Sequence, residues 1–235
     1  MRKIRIIFIA ITFLFLLIGR TVLAGEANGA KSIFYGEEGT KINSWSDTKT
    51  DKKPQKIAST KHKNKKYMGI EYWINLEGFE GRQSRVTANH VFHSGDRIKL
   101  ALRTNSNGYL YVINFGSSGS SNVLFPRSNA PDNYVTAYTT YSVPSSSFMK
   151  FDATPGEETL LVLLSPQPIT NLPVAPPDSK PTYAQYSSYT ASSGAKDIIV
   201  EDDSTSEAPS QIAVAPTSTL DSGKVIPVSI KIRHE

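Results

Sequence analysis

His90 and His93, with Asp96 three residues further on, are the side chains best suited by type to metal binding or acid–base chemistry. Their spacing works against that use. Residues three apart share a helix face but point to opposite faces of a strand, and no helical apolar pattern runs through this segment. Ligation of one zinc ion by both histidines therefore needs an irregular loop. A catalytic zinc also needs a third protein ligand, for which the chain offers only His62 and His234 as further histidines. The absence of cysteine excludes thiolate ligands, a cysteine nucleophile and disulfides. Serine is abundant, but no Gly-x-Ser-x-Gly elbow exists, because Gly116-Ser117-Ser118-Gly119 places two residues between its glycines. Neither the lysine nor the helix of a phosphate-binding loop follows that tetrad. Glu157 and Glu158 are adjacent and diverge in a strand, which is unsuited to the paired carboxylates of a glycosidase. Asp202 and Asp203 fall in a stretch without core pattern, so both acidic pairs read as solvated charge. The expectation is a non-enzymatic chain with no metal and no other cofactor.

Aromatic and charged residues are the better signals for binding. Trp73 sits on the polar register of an alternating segment, between Glu71 and Asn75. An exposed ring there could stack on a sugar or anchor a protein interface, which makes Trp73 the candidate binding residue. The alternative is that a second sheet or a loop covers it. Tyrosines recur at 134, 138 and 141 and again at 183, 186 and 189. Lys49 to Lys66 hold eight lysines and one acid, Asp51, for a local charge of +7, whereas residues 67–235 carry 12 bases and 16 acids, or −4. The lysine stretch has too little apolar surface to fold alone and reads as a solvated tether. It is also suited to an electrostatic contact with anionic lipid headgroups, cell-wall polyanions or an acidic partner.

The elements that must position these residues begin after a targeting segment. Arg2, Lys3 and Arg5 precede a predominantly apolar run from Ile6 to Ile18, closed by Gly19 and Arg20 and followed by Val22-Leu23-Ala24. This pattern predicts a secretory signal peptide over 1–24, cleaved between Ala24 and Gly25. The run is too short for a membrane anchor, so membrane contact is expected only during export. Without residues 1–24 the charge falls from +5 to about +1 (22 basic against 21 acidic side chains), which argues against a nucleic-acid partner. Residues 25–67 read as a flexible, lysine-rich leader without a core of its own.

From Met68 the texture is β. Gly69–Glu77 and Arg97–Arg103 alternate apolar and polar residues, as does Val225–His234. Asn105-Ser106-Asn107-Gly108 is a strong turn signal and predicts a hairpin between the second of these segments and Tyr109–Phe115. Val123–Phe125 and Phe148–Phe151 read as short strands. Thr159–Leu164 is nearly all apolar, as expected of a central strand buried on both faces. Residues 166–223 are rich in Pro, Ser, Thr and Ala and read as a long, partly disordered excursion with an edge strand at 198–200. No segment beyond the apolar N-terminal run sustains helical periodicity. The expectation is a mainly β chain forming an antiparallel β-sandwich over 68–235, with a barrel as the second choice.

Within that region lie Val91-Phe92-His93-Ser94-Gly95-Asp96-Arg97-Ile98, Asn107-Gly108-Tyr109-Leu110-Tyr111-Val112-Ile113-Asn114, Gly116-Ser117-Ser118-Gly119 and Leu124-Phe125-Pro126. Pro155-Gly156-Glu157-Glu158 and the closing Ile230-Lys231-Ile232-Arg233-His234 follow. In order and spacing these motifs resemble the bacterial family called domain of unknown function 4384, over roughly 68–165 with the last strand added. The resemblance implies a small β-rich module, often in exported proteins, and carries no catalytic residues with it. The functional expectation is thus an exported accessory or binding module of the bacterial cell envelope, periplasmic or extracellular, with an unidentified protein or envelope polymer as partner. A structural component of the envelope or matrix is the alternative. A metal-dependent hydrolase using the His90/His93 region is the third reading.

Overall fold

A computed structural model describes residues 29–36, 67–117, 119, 121–127, 132–170, 172, 182–192, 198–203, 207–220 and 223–235. The expected signal peptide with its Ala24–Gly25 junction, the Lys49–Lys66 stretch and His62 lie outside these residues. In chain order the elements are α1 (Ala30–Tyr35), β1 (Tyr67–Glu77), β2 (Gln83–Val86), β3 (Arg97–Thr104), β4 (Gly108–Phe115) and β5 (Ser121–Phe125). There follow β6 (Tyr134–Val135), β7 (Thr140–Val143), β8 (Met149–Lys150), β9 (Gly156–Ser165), α2 (Tyr183–Ser192), β10 (Ile199–Asp203), β11 (Ser210–Pro216), α3 (Thr217–Leu220) and β12 (Ile226–His234).

The alternation in β1 and β3 does what period two requires. Ile70, Tyr72 and Ile74 of β1 and Leu100 and Leu102 of β3 turn one way, onto Leu110 and Val112 of β4, Leu160 and Val162 of β9 and Ile230 of β12. These residues belong to two open antiparallel sheets packed face to face. One has the strand order β10-β11-β1-β3-β7, with β2 also beside β1 and β8 beside β3; the other has β12-β9-β4-β5, with β6 beside β4. Neither sheet closes, so the sandwich is the architecture and the barrel is not. Thr159–Leu164 is central, as its composition indicated: Leu160, Val162 and Leu164 face the core, while Leu161 and Leu163 are buried on the opposite side.

Three expectations need correction. The turn at Asn105–Gly108 does not make a hairpin, because β3 and β4 belong to different sheets. The chain crosses the sandwich here, held by the Asn105 side chain accepting from the Gly69 N–H at 2.8 Å and by Asn107 accepting from the Ala137 N–H at 2.8 Å. Local turn chemistry is the same for both paths; only the partner sheets differ. Second, the excursion contributes more than an edge strand. Ser210–Pro216 forms β11, inserted between β1 and β10, with Ile212 to Ala215 buried. Asp202 and Asp203 accordingly lie in the paired strand β10. Third, the leader is partly built into the fold, since α1 packs Ala30 and Phe34, both fully buried, on Ile212 and Val214.

Gly69 makes that last contact possible. A Cβ at this position would lie 2.5 Å from Val214 Cγ1 and 3.0 Å from the Phe34 ring, so the missing side chain is the seat of Phe34. On the other outer face, α2 places Tyr186 over Tyr111, Ile113, Leu161 and Leu163. Both sandwich faces thus receive a helical cover. We predict that Phe34→Ala costs about 3 kcal/mol of stability in urea unfolding, the range for a large buried aromatic. Deleting residues 49–66 should leave the unfolding midpoint within experimental error. Equal effects of the two changes would contradict the docking of α1.

Candidate functional site

The odd-numbered residues of β1 face away from the core, and their environment decides the fate of Trp73. It is 4% exposed, with the Arg85 guanidinium of β2 lying 3.8 Å from the ring centroid and the indole N–H donating to Asn75 Oδ1 at 3.0 Å. The candidate stacking surface is therefore corrected: no open indole face is presented. One cover comes from the neighbouring strand. β1 pairs Asn75 with Arg85, so the arginine next to Trp73 can fold its planar head onto the ring.

Two residues toward the start of β1, Glu71 carries a carboxylate with only 4% exposure. Arg103, directly opposite on β3, donates from Nε at 2.9 Å and also from its terminal nitrogen. The Tyr35 hydroxyl of α1 donates to the same carboxylate at 2.7 Å and accepts from Arg103. Lys31 at the other end of α1 pairs with Asp203 at 2.5 Å, and its N–H donates to Glu201. The short helix is thus pinned by an ion pair at one end and, at the other, by a part-buried three-residue network around the buried Glu71 carboxylate. Sequence reasoning missed this network. Its one visible trace was an acidic residue, Glu71, alternating with large apolar ones.

Burial, followed by hydrogen bonding to Glu71, pushes the Tyr35 phenol well above its ordinary range. Burial, with Asp202 nearby, does the same to Tyr72. Both phenols are held neutral by the fold and become free to ionise near pH 10 on unfolding. Their contribution is therefore complete below about pH 10 and is lost as pH rises beyond it, at up to about 1.4 kcal/mol per pH unit for each group. Replacing both by Phe should flatten the alkaline limb of a stability–pH curve. An unchanged limb would refute the assignment. Arg103→Ala, which strands the Glu71 carboxylate, should cost about 3 kcal/mol.

The remaining candidates gather at the end of the sandwich where β1, β4 and β12 finish. His93 is exposed, with Nδ1 3.9 Å from Asp96 Oδ2, while the His90 ring meets Phe92 edge-on at 4.9 Å. The Ser94 hydroxyl donates to the Glu235 carbonyl rather than to a histidine. His234 is buried, stacked on Phe151 at 4.8 Å, with neither ring nitrogen partnered. Among the described residues, no three His, Asp or Glu side chains come together as metal ligands. The Ser117 N–H and hydroxyl both donate to Glu158, whereas Glu157 pairs with Lys231, so the adjacent glutamates do diverge. Of the tyrosines, Tyr134, Tyr138 and Tyr183 are exposed and Tyr186 is buried.

The same end holds a cleft of about 150 Å³ between the sheets, with Ile98, Met149 and Leu160 as apolar floor and Asn114, Lys150 and Glu158 at its polar edge. Phe151 and Asp152 line this cleft and continue into a shallower one beside Ser94 and Gly95. Backbone bonds tie the walls together: Gly95 N–H donates to Phe151 O and Phe151 N–H to Asp96 O. The cleft thus sets charges of both signs around an aromatic and aliphatic floor.

Residues 91–168 match the family model described as Domain of unknown function (DUF4384). The matched segment covers about a third of the chain and runs from just before β3 to just after β9. It begins later than the resemblance read over 68–165, so β1, β2 and β12 lie outside it. All the polar residues named at the cleft lie inside it. No curated protein matches the chain, and no solved structure matches it.

Proposed function

We propose that the chain is an exported, non-catalytic β-sandwich module that binds a protein or polymer partner in the bacterial cell envelope. The observation that carries this reading is the cleft at the loop end. Apart from Ile232 it is lined by residues of the matched segment, it is open, and it sets charges of both signs around an apolar floor. The apolar patches on the outer faces, Ile212 and Val214 on one sheet and Tyr111, Ile113, Leu161 and Leu163 on the other, are meanwhile covered by the chain's own α1 and α2. Export rests on the basic, apolar and small-residue pattern of residues 1–24, and the +7 stretch at 49–66 adds an electrostatic contact with anionic envelope material.

A photo-crosslinking side chain placed at Lys150 in intact cells should capture a discrete partner. The same side chain at the exposed Thr139, which lies toward the opposite end, should not. Stoichiometric zinc in the purified protein, lost on His90→Ala, would replace this reading with the hydrolase. For the lysine stretch, retention on anionic envelope material should fall steeply with salt, because exposed charges are screened over about 8 Å at physiological ionic strength. Deleting residues 49–66 should abolish the salt-sensitive part. Retention that survives both treatments leaves the stretch as a plain tether.

A further inference from the structure

The outer face of the β2–β1–β3 strip lies beyond α1, and its hydrogen-bonding capacity is unbalanced. The strand registers set Arg85 opposite Asn75 and Asn75 opposite Lys99, so the three form one row across three strands. Each also points away from the core, because their sequence neighbours Ile74, Val86, Ile98 and Leu100 pack into it. Adjacent strands lie about 4.8 Å apart, which puts the Arg85 and Lys99 backbones about 10 Å from each other with the amide between them.

The chemistry of the row is one-sided. Asn75 spends its acceptor on the Trp73 indole, which leaves the amide nitrogen as a donor. Arg85 is exposed and stacked on Trp73, and no carboxylate or carbonyl among the described residues accepts from it. Stacking holds a guanidinium flat while its N–H groups radiate sideways, the geometry that grips an oxyanion with two parallel bonds. Lys99 lies over the Phe148 ring at 4.6 Å and makes one long bond, 3.4 Å, to the Ser145 carbonyl. The nearby acids are already matched, Glu71 by Arg103 and Glu77 by Arg97 at 2.8 Å. The row therefore keeps two cations with no carboxylate bonded to them among the described residues, and an amide donor on the same sheet. Arg85 feels only the longer-range attraction of Glu71.

We propose that Arg85, Asn75 and Lys99 form a binding site for the oxyanion groups, carboxylate or phosphate, of an anionic polymer laid across the strands. The spacing favours a chain with successive charges over a single small anion. Trp73 is the platform that holds Arg85 in place and makes no contact with the ligand. The site stands apart from the loop-end cleft, and either can fail without the other.

The test uses the purified protein with polygalacturonate as the carboxylate probe and inorganic polyphosphate as the phosphate probe. Arg85→Gln and Lys99→Gln should each weaken binding about three- to five-fold and the double variant about tenfold, with thermal unfolding unchanged, as expected for exposed charge contacts. Arg85→Lys should restore only part of the loss, because a lysine keeps the charge but not the paired donors. Trp45→Phe leaves Trp73 as the sole tryptophan, and its emission should shift as the polymer binds. The lysine stretch contains no tryptophan and cannot produce that signal. Binding of only one probe identifies the oxyanion as carboxylate or phosphate. Polymer binding with Trp73 emission unmoved, or undiminished binding by the double variant in a chain that also lacks residues 49–66, overturns the proposal.

Discussion

Two central strands of this sandwich are buried on both faces, and that constraint organises everything outside the core. β1 is buried from Met68 through Ile74, and β9 from Leu160 through Ser165. A two-layer sandwich covers only one face of each. The second face, left in water, would expose Leu161 and Leu163 on one side and Glu71 amid Ile212 and Val214 on the other. Each fully buried large side chain contributes roughly 1.5–3 kcal/mol, so the outer covers are part of the fold. They come from the two stretches with the least strand character, the leader and the excursion, as α1 and α2.

The two covers solve different problems. Under α2 the sheet face is apolar, and Tyr186 closes it by packing alone. Under α1 the face is half polar. There the six-residue helix brings Phe34 for the apolar half and the Tyr35 hydroxyl for the carboxylate, while Arg103 supplies the charge. A helix this short has no stability of its own. Its position is set by the sites it fills. The reach of α1 also ends at this network, which leaves the β2–β1–β3 strip to cover Trp73 with its own arginine.

The two ends of the molecule separate in the same way. Tyr67, where the chain enters β1 from the lysine-rich region, lies at the end occupied by Asn105 and Ser165. The cleft and the His90–Asp96 loop lie at the other end, where Ser94 and Glu235 are bonded together. The entry to β1 and the cleft therefore lie at opposite ends of the sandwich.

Much of this was determined by the sequence alone. Period-two alternation in Gly69–Glu77, Arg97–Arg103 and Val225–His234 set those strands and their core faces, because side chains in a strand must alternate. The apolar run at Thr159–Leu164 marked a strand needing cover on both sides. The motifs between Val91 and Glu158 lie within the segment that matches the family model, although the resemblance was drawn from 68 and included the last strand. What only the tertiary structure decided is which surfaces meet. The turn at Asn105–Gly108 reads the same whether the chain returns within a sheet or crosses to the next. Ser210–Pro216 is short and lies among Pro- and Ser-rich sequence, so its place between β1 and β10 depends on register and not on propensity. Trp73 was expected at a polar position and is there; its burial depends on an arginine twelve residues away that strand pairing brings alongside. Alternation fixes which way a side chain points, whereas its neighbours are chosen by the long-range pairing that no local pattern encodes.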